Sequence, residues 1–253
     1  MKTNIDPIYI THLYPKEMSI YGDMGNILAF QYRLKQWGLD YVYQTVNLNE
    51  SLPQKTDFYF LGGGQDADQL KVCIDLLSKK DVLKNDLIAK NIPALLICGG
   101  YQLLGKQFIT GNGEVIQGLD ILPVETRALN TQVASRSIGN LLIKSLIAGL
   151  ENVELLGFEN HSGQTYFLDQ TAKPLGSVIV GSGNNALEKL EGCVYKNIIG
   201  TYMHGSCLPK NPELTDWFIQ KVLENLGLVN DYVKPELSKI ALEAKNQIVK
   251  RII

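Results

Sequence analysis

The sequence predicts an α/β fold: a doubly wound, mostly parallel sheet flanked by helices, with antiparallel strands in the second half. Three observations predict it. Short apolar runs alternate with helical patterns up to about residue 105, which is the βαβαβ rhythm of a parallel sheet. One of these runs passes directly into the glycines 62–64, and another is followed by Cys98 and then the glycines 99–100. From 114 to 180, short β-rich runs are separated by Gly and Asn turns with little helix between them.

The apolar spacing predicts each element in chain order. In the first half, strands are predicted at 8–14, 41–46, 57–61 and 94–97, and helices at 27–37, 67–80, 82–90 and directly after Cys98. In the second half, strands are predicted at 121–126, 137–143, 152–156, 176–180 and 197–202, and helices at 213–226 and 235–252. The last helix is amphipathic, and we expect it to pack on its own domain or on a partner. Residues 1–253 are expected to form a single domain.

The composition excludes several functional classes. The chain has 253 residues, of which 45% are hydrophobic, and 24 basic side chains nearly balance 26 acidic ones, so no basic field favours nucleic acid. The first residues lack an apolar signal region, and no apolar run reaches the length of a membrane span. Four scattered cysteines without a CxxC pair and only three histidines argue against a zinc site. We therefore expect a cytoplasmic protein with no metal or other cofactor.

The most informative stretch ends the fourth predicted strand. The apolar run Ala94–Ile97 is followed by Cys98, Gly99 and Gly100, and then by a helical pattern. This is a nucleophile elbow with sulfur in place of the serine oxygen. The glycines let a substrate approach the backbone, and the N-terminus of the new helix favours thiolate over thiol. The alternative is a buried cysteine that fills the end of a core strand.

The same stretch contains a spacing that resembles a Walker A loop. Gly100, Gly105 and Lys106 match GxxxxGK, but Gln107 stands where a Ser or Thr should bind magnesium. The glycines would also span the first turns of a helix, whereas a phosphate loop precedes its helix. We therefore exclude ATP binding at this stretch.

A cysteine nucleophile needs a base, and two histidines are realistic choices. His204 follows the predicted strand 197–202, which places it at the same sheet edge as Cys98. His161 lies in the polar segment 157–165, a predicted turn, and could instead line the pocket or hold a loop. We favour His204 as the base.

Three consecutive glycines, Gly62–Gly64, follow the predicted strand 57–61. They are either simple turn residues or donors of backbone N–H groups to a developing oxyanion. Beside a cysteine elbow we favour the second interpretation.

Together these motifs resemble a known family. The glycine loop at 62–64, the elbow ICGGYQLLG and the late strand that ends at His204 resemble the class I, triad-type glutamine amidotransferases. The motifs YGDMGN, GFENHSGQT, GSGNN and GTYMHGSCLPKNPEL are similar to the cobyric-acid-synthase-like branch of that class, and the resemblance covers residues 8–226. Ordinary class I enzymes carry a glutamate two residues after the histidine, where this chain has Ser206. The orienting carboxylate must then come from elsewhere in the chain or be absent, and as its source we favour Asp23 over Glu159.

The resemblance implies hydrolysis of glutamine through a thioester on Cys98, with His204 as the proton shuttle. The N–H groups of Gly63 and Gly99 are expected to stabilise the oxyanion. The α-carboxylate of glutamine suits a bidentate guanidinium, for which we favour Arg136 over Arg127. Gln102 is expected to add a hydrogen bond to the same substrate.

Because the chain has no intact nucleotide loop, the ATP-driven half of an amidation must lie on another polypeptide. Within the branch, the motifs are most similar to subunits that form a heterodimer with a Mur-ligase-like synthetase of the MurT type. The resemblance implies that this partner amidates the D-glutamate α-carboxylate of lipid II to D-isoglutamine during peptidoglycan synthesis. Two alternatives remain: a free-standing cysteine hydrolase of γ-glutamyl compounds, and a non-catalytic binding module in which Cys98 is inert.

Overall fold

The structure, a computed structural model, describes residues 6–111, 113–128 and 136–253. Its first half alternates strands and helices, as predicted. The elements are β1 (Ile8–Leu13), α1 (Met24–Gln36), β2 (Tyr41–Val46), β3 (Phe58–Leu61), α2 (Asp66–Leu77), α3 (Lys80–Lys84) with a following π-helical turn (Asn85–Ala89), β4 (Ala94–Ile97) and α4 (Gly99–Leu104).

The second half is richer in strands and ends in helices. Its elements are β5 (Gln107–Ile109), β6 (Val115–Gln117), β7 (Val124–Ala128), β8 (Ser137–Ser145), β9 (Glu154–His161), β10 (Gly163–Phe167), β11 (Gly176–Val180), β12 (Leu190–Glu191), β13 (Cys193–Tyr195), β14 (Ile198–Thr201), α5 (Cys207–Lys210), α6 (Pro212–Asn225) and α7 (Lys239–Ile252).

A six-stranded sheet with the order β13-β14-β4-β3-β1-β2 forms the core of the described chain. The five strands from β14 to β2 are parallel, and β13 pairs antiparallel with β14. Every residue of β3, β4 and β14 is buried, which accounts for their unbroken apolar runs, since strands covered on both faces need no alternation. Phe58 of β3 stacks on Phe30 of α1 and meets Phe218 of α6 edge-on. The predicted doubly wound parallel sheet is confirmed.

The remaining strands form two four-stranded sheets, β10-β7-β5-β6 and β12-β11-β8-β9, in which most pairs are antiparallel. Antiparallel strands in the second half are therefore confirmed. The polar segment 157–165 is not a simple turn, because its residues belong to β9 and β10. Residues 160–163 of this segment line a cavity, and most of its residues are polar or glycine, so it lacks the alternation by which a strand is recognised.

The C-terminal helix α7 begins at Lys239, four residues after the predicted start at 235. Val249 packs on Leu142 and Leu156, and Lys245 forms an ion pair of 3.0 Å with Glu213. The buried face therefore includes Lys245 and Val249, whereas Ile240 and Ile248, which the amphipathic pattern assigns to the apolar face, are 80% and 39% exposed. No helix in the described part of the chain is long and apolar enough to cross a membrane.

Candidate active site

Four neighbouring parallel strands deliver the predicted site residues to one edge of the central sheet. The strands β14, β4, β3 and β1 are consecutive in the sheet order. At or beyond their carboxyl ends lie His204, Cys98, the glycines 62–64 and Asp23, respectively. Ligand sites of open α/β sheets form at this edge, because the loops that leave the strands converge there.

Cys98 occupies a strained turn between β4 and α4. Its backbone angles are φ 50° and ψ −101°, which residues with a Cβ seldom adopt. Two hydrogen bonds hold this conformation: the Cys98 N–H donates to the Thr201 carbonyl at 2.8 Å, and the Cys98 carbonyl accepts from the Gln102 N–H at 2.9 Å. The side chain is 8% exposed and lines a cavity, so substrate reaches the sulfur through this cavity rather than from bulk solvent.

The cavity has a volume of about 390 Å³, which suits a small polar ligand. Its walls come from both halves of the chain. The lining residues are Ile20, Tyr21, Gly64, Gln65, Ala67, Gln69, Cys98, Gln102, Phe108, Arg136, Asn160, His161, Ser162 and Gly163.

His204 is fully buried beside Asp23, and its Nδ1 lies 3.9 Å from Asp23 Oδ1. Its backbone is paired with Phe158 of β9: the His204 N–H donates to the Phe158 carbonyl at 2.7 Å, and the His204 carbonyl accepts the Phe158 N–H at 3.2 Å. The ring of Tyr21 meets the imidazole edge-on, with 4.9 Å between ring centroids. These contacts fix the position of the imidazole at the sheet edge.

The electrostatic surroundings of His204 favour its protonated form. Burial alone would lower the pKa of His204, but interactions with Asp23 and Cys98 outweigh burial and raise the pKa to about 9. Both neighbours are acids whose charged forms stabilise an imidazolium. A protonated histidine is the partner that a cysteine thiolate nucleophile requires.

Asp23 is fully buried, and it makes one hydrogen bond that changes the expected oxyanion site. Its Oδ2 accepts the Gly63 N–H at 2.8 Å, while Oδ1 is the oxygen nearest His204. The single proton of the Gly63 amide is therefore already bonded, and the prediction of Gly63 as an oxyanion donor is not supported. Gly64, the next residue, lines the cavity. A Cβ at Gly63 would lie 2.8 Å from His204 Cε1, so the glycine instead makes room for the imidazole.

A second histidine, His161, lines the cavity and has a carboxylate neighbour of its own, Glu159. His161 Nδ1 donates to the Gly163 carbonyl at 2.7 Å, and its Nε2 lies 3.7 Å from Glu159 Oε2. The His161 ring stacks on Tyr202 with 3.7 Å between centroids. These contacts make His161 a rigid wall of the cavity.

Glu159 belongs to this second pair. It accepts the backbone N–H groups of Ser182 and Gly183 at 2.7 and 3.0 Å. Burial would raise the pKa of Glu159, but its interaction with the nearby His161 and the hydrogen bonds from the two backbone amides lower it overall. Asp23, not Glu159, is thus the carboxylate beside His204.

The two candidate arginines differ in their surroundings. Arg136 lines the cavity, and its Nε and Nη2 donate to Asn160 Oδ1 and to the Asn160 carbonyl at 2.6 and 3.1 Å. Arg127 is exposed and is instead bonded to Glu125, on the same strand β7. Gln102 also lines the cavity, and its Nε2 donates to the Tyr202 hydroxyl at 3.2 Å. The structure therefore brings Arg136 and Gln102, but not Arg127, to the cavity.

Tyr21 and Gln69 line the cavity and are not among the site residues predicted from the sequence. Gln69 Nε2 donates to the Gly64 carbonyl at 3.0 Å, and a Cβ at Gly99 would meet the same Nε2 at 2.8 Å. Gln69 thus lies between the glycine loop at 62–64, to which it is bonded, and Gly99. Gln69 lies in the first turn of α2, the helix that follows the glycines 62–64, and this position could have indicated that its side chain is near the site.

The other cysteines and His12 lie outside this cavity. Burial raises the pKa of the Cys73 and Cys193 thiols, and it raises the pKa of Cys207 to about 12. Burial lowers the pKa of His12 to about 4, and its Nδ1 lies 3.1 Å from the Tyr43 hydroxyl. Among the described residues, no three potential metal ligands are grouped.

A cysteine on a strained strand-to-helix turn, next to a histidine and a buried carboxylate, is the arrangement of triad-type hydrolytic enzymes on α/β sheets. The chain belongs to the CobB/CobQ-like glutamine amidotransferase family, whose model matches residues 9–212. The predicted resemblance to class I glutamine amidotransferases and to their cobyric-acid-synthase-like branch is confirmed.

Individual relatives match most of the chain. It is 39% identical over 220 residues to the "Lipid II isoglutaminyl synthase (glutamine-hydrolyzing) subunit GatD" of Staphylococcus aureus, covering 87% of this chain and 86% of that protein. It is also 39% identical over 208 residues to the subunit of the same name from Streptococcus pneumoniae, covering 81% and 76%. The solved glutaminase domain of Trypanosoma brucei CTPS, with bound acivicin, superposes with a TM-score of 0.54 over 92% of this chain and 98% of that chain. At 14% identity, this last similarity concerns the fold.

Proposed function

We propose that this chain is the glutamine-hydrolysing subunit of a lipid II isoglutaminyl synthase. The observation that carries the proposal is 39% identity to two subunits of that name over most of both chains. The site supports it independently, because Cys98, His204 and Asp23 converge beside a polar cavity of suitable size. An inert binding module would not need a protonated histidine next to a strained cysteine.

In the proposed reaction, the Cys98 thiolate attacks the side-chain amide carbon of glutamine. The N–H groups of Gly99 and Gly64 stabilise the resulting oxyanion, and protonated His204 gives its proton to the leaving ammonia. The thioester that remains is attacked by water, from which the neutral imidazole takes a proton. Collapse of this second intermediate releases glutamate and restores the thiolate and the imidazolium. Asp23 orients His204 and stabilises its positive charge.

Two side chains in the cavity are suited to hold the substrate. We assign Arg136 to the α-carboxylate, because a guanidinium binds a carboxylate with two parallel hydrogen bonds. Asn160 holds that guanidinium at the cavity wall. Gln102 donates to Tyr202 through Nε2, which leaves its Oε1 to accept a hydrogen bond from glutamine.

The ammonia is then used by an ATP-dependent synthetase on a second chain, which we propose is Mur-ligase-like and of the MurT type, forming a cytoplasmic heterodimer. The word "subunit" in the names of both relatives supports a partner. The Walker-like spacing of this chain supports it too, since Gln107 lies in strand β5 and no phosphate loop precedes α4. The partner would amidate the D-glutamate α-carboxylate of lipid II.

An isotope experiment with the purified complex tests this division of labour. The complex receives lipid II, ATP, glutamine labelled with nitrogen-15 in its side-chain amide, and unlabelled ammonium at alkaline pH. We expect the wild-type complex to form a nitrogen-15 amide from glutamine. The Cys98→Ala complex should form only the unlabelled amide, and only when ammonium is abundant, because the synthetase needs nitrogen and not the Cys98 site.

Mass spectrometry of the lipid II product reads out both results. Label transfer by the Cys98→Ala complex, or failure of ammonium to rescue an assembled complex, would contradict the proposal. Glutamate release from γ-glutamyl peptides together with no amidation by the wild-type complex would favour the free-standing hydrolase instead.

A further inference from the structure

Ser206 occupies the position at which ordinary class I enzymes carry their third catalytic residue, and its hydroxyl has a specific partner. Ser206 has φ 53° and ψ 91° and lies two residues beyond His204. Its Oγ donates to the Gly22 carbonyl at 2.5 Å. Gly22 directly precedes Asp23, so this bond joins the loop that carries the histidine to the loop that carries the carboxylate.

The two loops are joined at a second point. The buried side chain of Asn26, in the first turn of α1, accepts the Leu208 N–H through Oδ1 at 2.8 Å. From the other side, the Gly63 N–H holds Asp23 Oδ2 at 2.8 Å. The carboxylate is therefore fixed by the glycine loop on one side and by the segment after His204 on the other.

The glycines of the motif YGDMGN lie close to the Ser206 side chain. A Cβ at Gly25 would lie 2.2 Å from Ser206 Oγ and 2.9 Å from Ser206 Cβ, both closer than real Cβ contacts. A Cβ at Gly22, which has φ 81°, would lie 3.5 Å from the same oxygen. The close approach of Gly25 allows the serine side chain to lie between the two loops.

We propose that Ser206 is a positioning residue whose hydroxyl clamps the Asp23 loop against the His204 loop and thereby sets the approach of the carboxylate to the imidazole. The proposal rests on the roles of Asp23 and His204 in the proposed function. It also gives a role to the hydroxyl at 206 in a chain without a carboxylate there: the carboxylate beside His204 is Asp23, in the loop before α1, and the serine holds that loop. Without the clamp, Asp23 keeps its bond to Gly63, but the loop before it is no longer tied to residue 206.

Ser206→Ala removes the hydroxyl and keeps the Cβ that packs on Gly25. We expect kcat for glutamine hydrolysis by the complex to fall about 10- to 100-fold, because small displacements of a catalytic group are costly. KM should change by less than about twofold, since Arg136 and Gln102 lie elsewhere in the cavity. Ser78→Ala is the matched control, because Ser78 Oγ also donates to a backbone carbonyl, that of Asp75 at 2.6 Å, at an exposed position.

The pH profile separates positioning from a merely structural role. Asp23, Cys98 and the Tyr21 ring are the groups that face His204. A carboxylate held less closely stabilises the imidazolium less, so the alkaline limb of kcat/KM should move to lower pH in Ser206→Ala. Asp23→Asn should move it in the same direction and further. In the double variant, Ser206→Ala should add little to the loss already caused by Asp23→Asn.

A second variant, in which Gly25 rather than Ser206 is changed, tests the same contact between the two loops. Gly25→Ala should impair kcat because its new Cβ overlaps the Ser206 side chain. In a Ser206→Gly background, which lacks both overlapping atoms, the same substitution should cost less than in the wild type, while the loss caused by the missing hydroxyl remains. The clamp is overturned if Ser206→Ala matches an active wild type in kcat and pH profile, or if its effect is undiminished in the Asp23→Asn background. Either result leaves the glutaminase assignment intact. A wild-type complex that releases no glutamate from glutamine would overturn the proposed function and the clamp together.

Discussion

Replacement of Cys98 by alanine is expected to reduce glutamine hydrolysis by at least about 10³-fold, since no other group can form the thioester. The loss should appear in kcat, because the variant removes the nucleophile and keeps the cavity that binds glutamine. Glutamate release, measured on the wild-type and variant complexes, gives the fold-change directly.

The fold should survive this substitution, because the Cys98 side chain is small and borders the cavity, so its truncation removes little packing. Equal circular dichroism spectra and melting temperatures would establish that. Cys73→Ala is the matched control, as it removes a buried thiol outside the cavity and should leave activity near that of the wild type. Activity of Cys98→Ala within about tenfold of wild type would rule out the thioester mechanism.

Replacement of His204 by alanine is expected to cost about 10²- to 10³-fold in kcat, because the leaving ammonia loses its proton donor. His161→Ala should cost much less, since His161 is bonded to Gly163 and stacked on Tyr202 as part of the cavity wall. Glutamate release from both variants checks the ranking. Equal losses would show that both histidines take part in the reaction, and a larger loss in His161→Ala would show that their roles are reversed.

The pH dependence of the wild type follows from the same assignment. The pKa of His204 is raised to about 9, so the imidazolium is present below that pH and is lost above it. We therefore expect kcat/KM to decline as the pH rises through about 9, and the decline to be absent from the residual activity of His204→Ala. An unchanged alkaline limb in the variant would assign that limb to another group.

The positions of Cys98 and His204 could be predicted because each follows an apolar strand of the parallel sheet. A fully buried strand gives an unbroken apolar run, and the ends of such strands meet at one edge. The prediction of Asp23 has a different basis: the chain has no glutamate at position 206, so the orienting carboxylate must be sought elsewhere. Its contact with His204 depends on the path of an irregular loop after β1, which no periodic pattern encodes.

The missed features have a common physical cause. The walls of the cavity are polar strands and loops, so residues 157–165 carry no apolar alternation, and Gln69 is indistinguishable from a surface residue of an amphipathic helix. Gly63 illustrates another limit. A run of glycines indicates free backbone N–H groups, but only the folded loop determines that one of them is bonded to Asp23.

The central claim is that Cys98 is the nucleophile toward glutamine, and a covalent label tests it most directly. The glutamine analogue 6-diazo-5-oxo-L-norleucine alkylates a thiolate that attacks it as it would attack the amide carbon. Peptide mass mapping of the wild-type complex should find one label per chain, on Cys98, with excess glutamine slowing its formation. Cys73, Cys193 and Cys207 should remain unmodified, because burial raises the pKa of each thiol. Labelling of another residue, or inactivation of glutamine hydrolysis without a label on Cys98, would contradict the account.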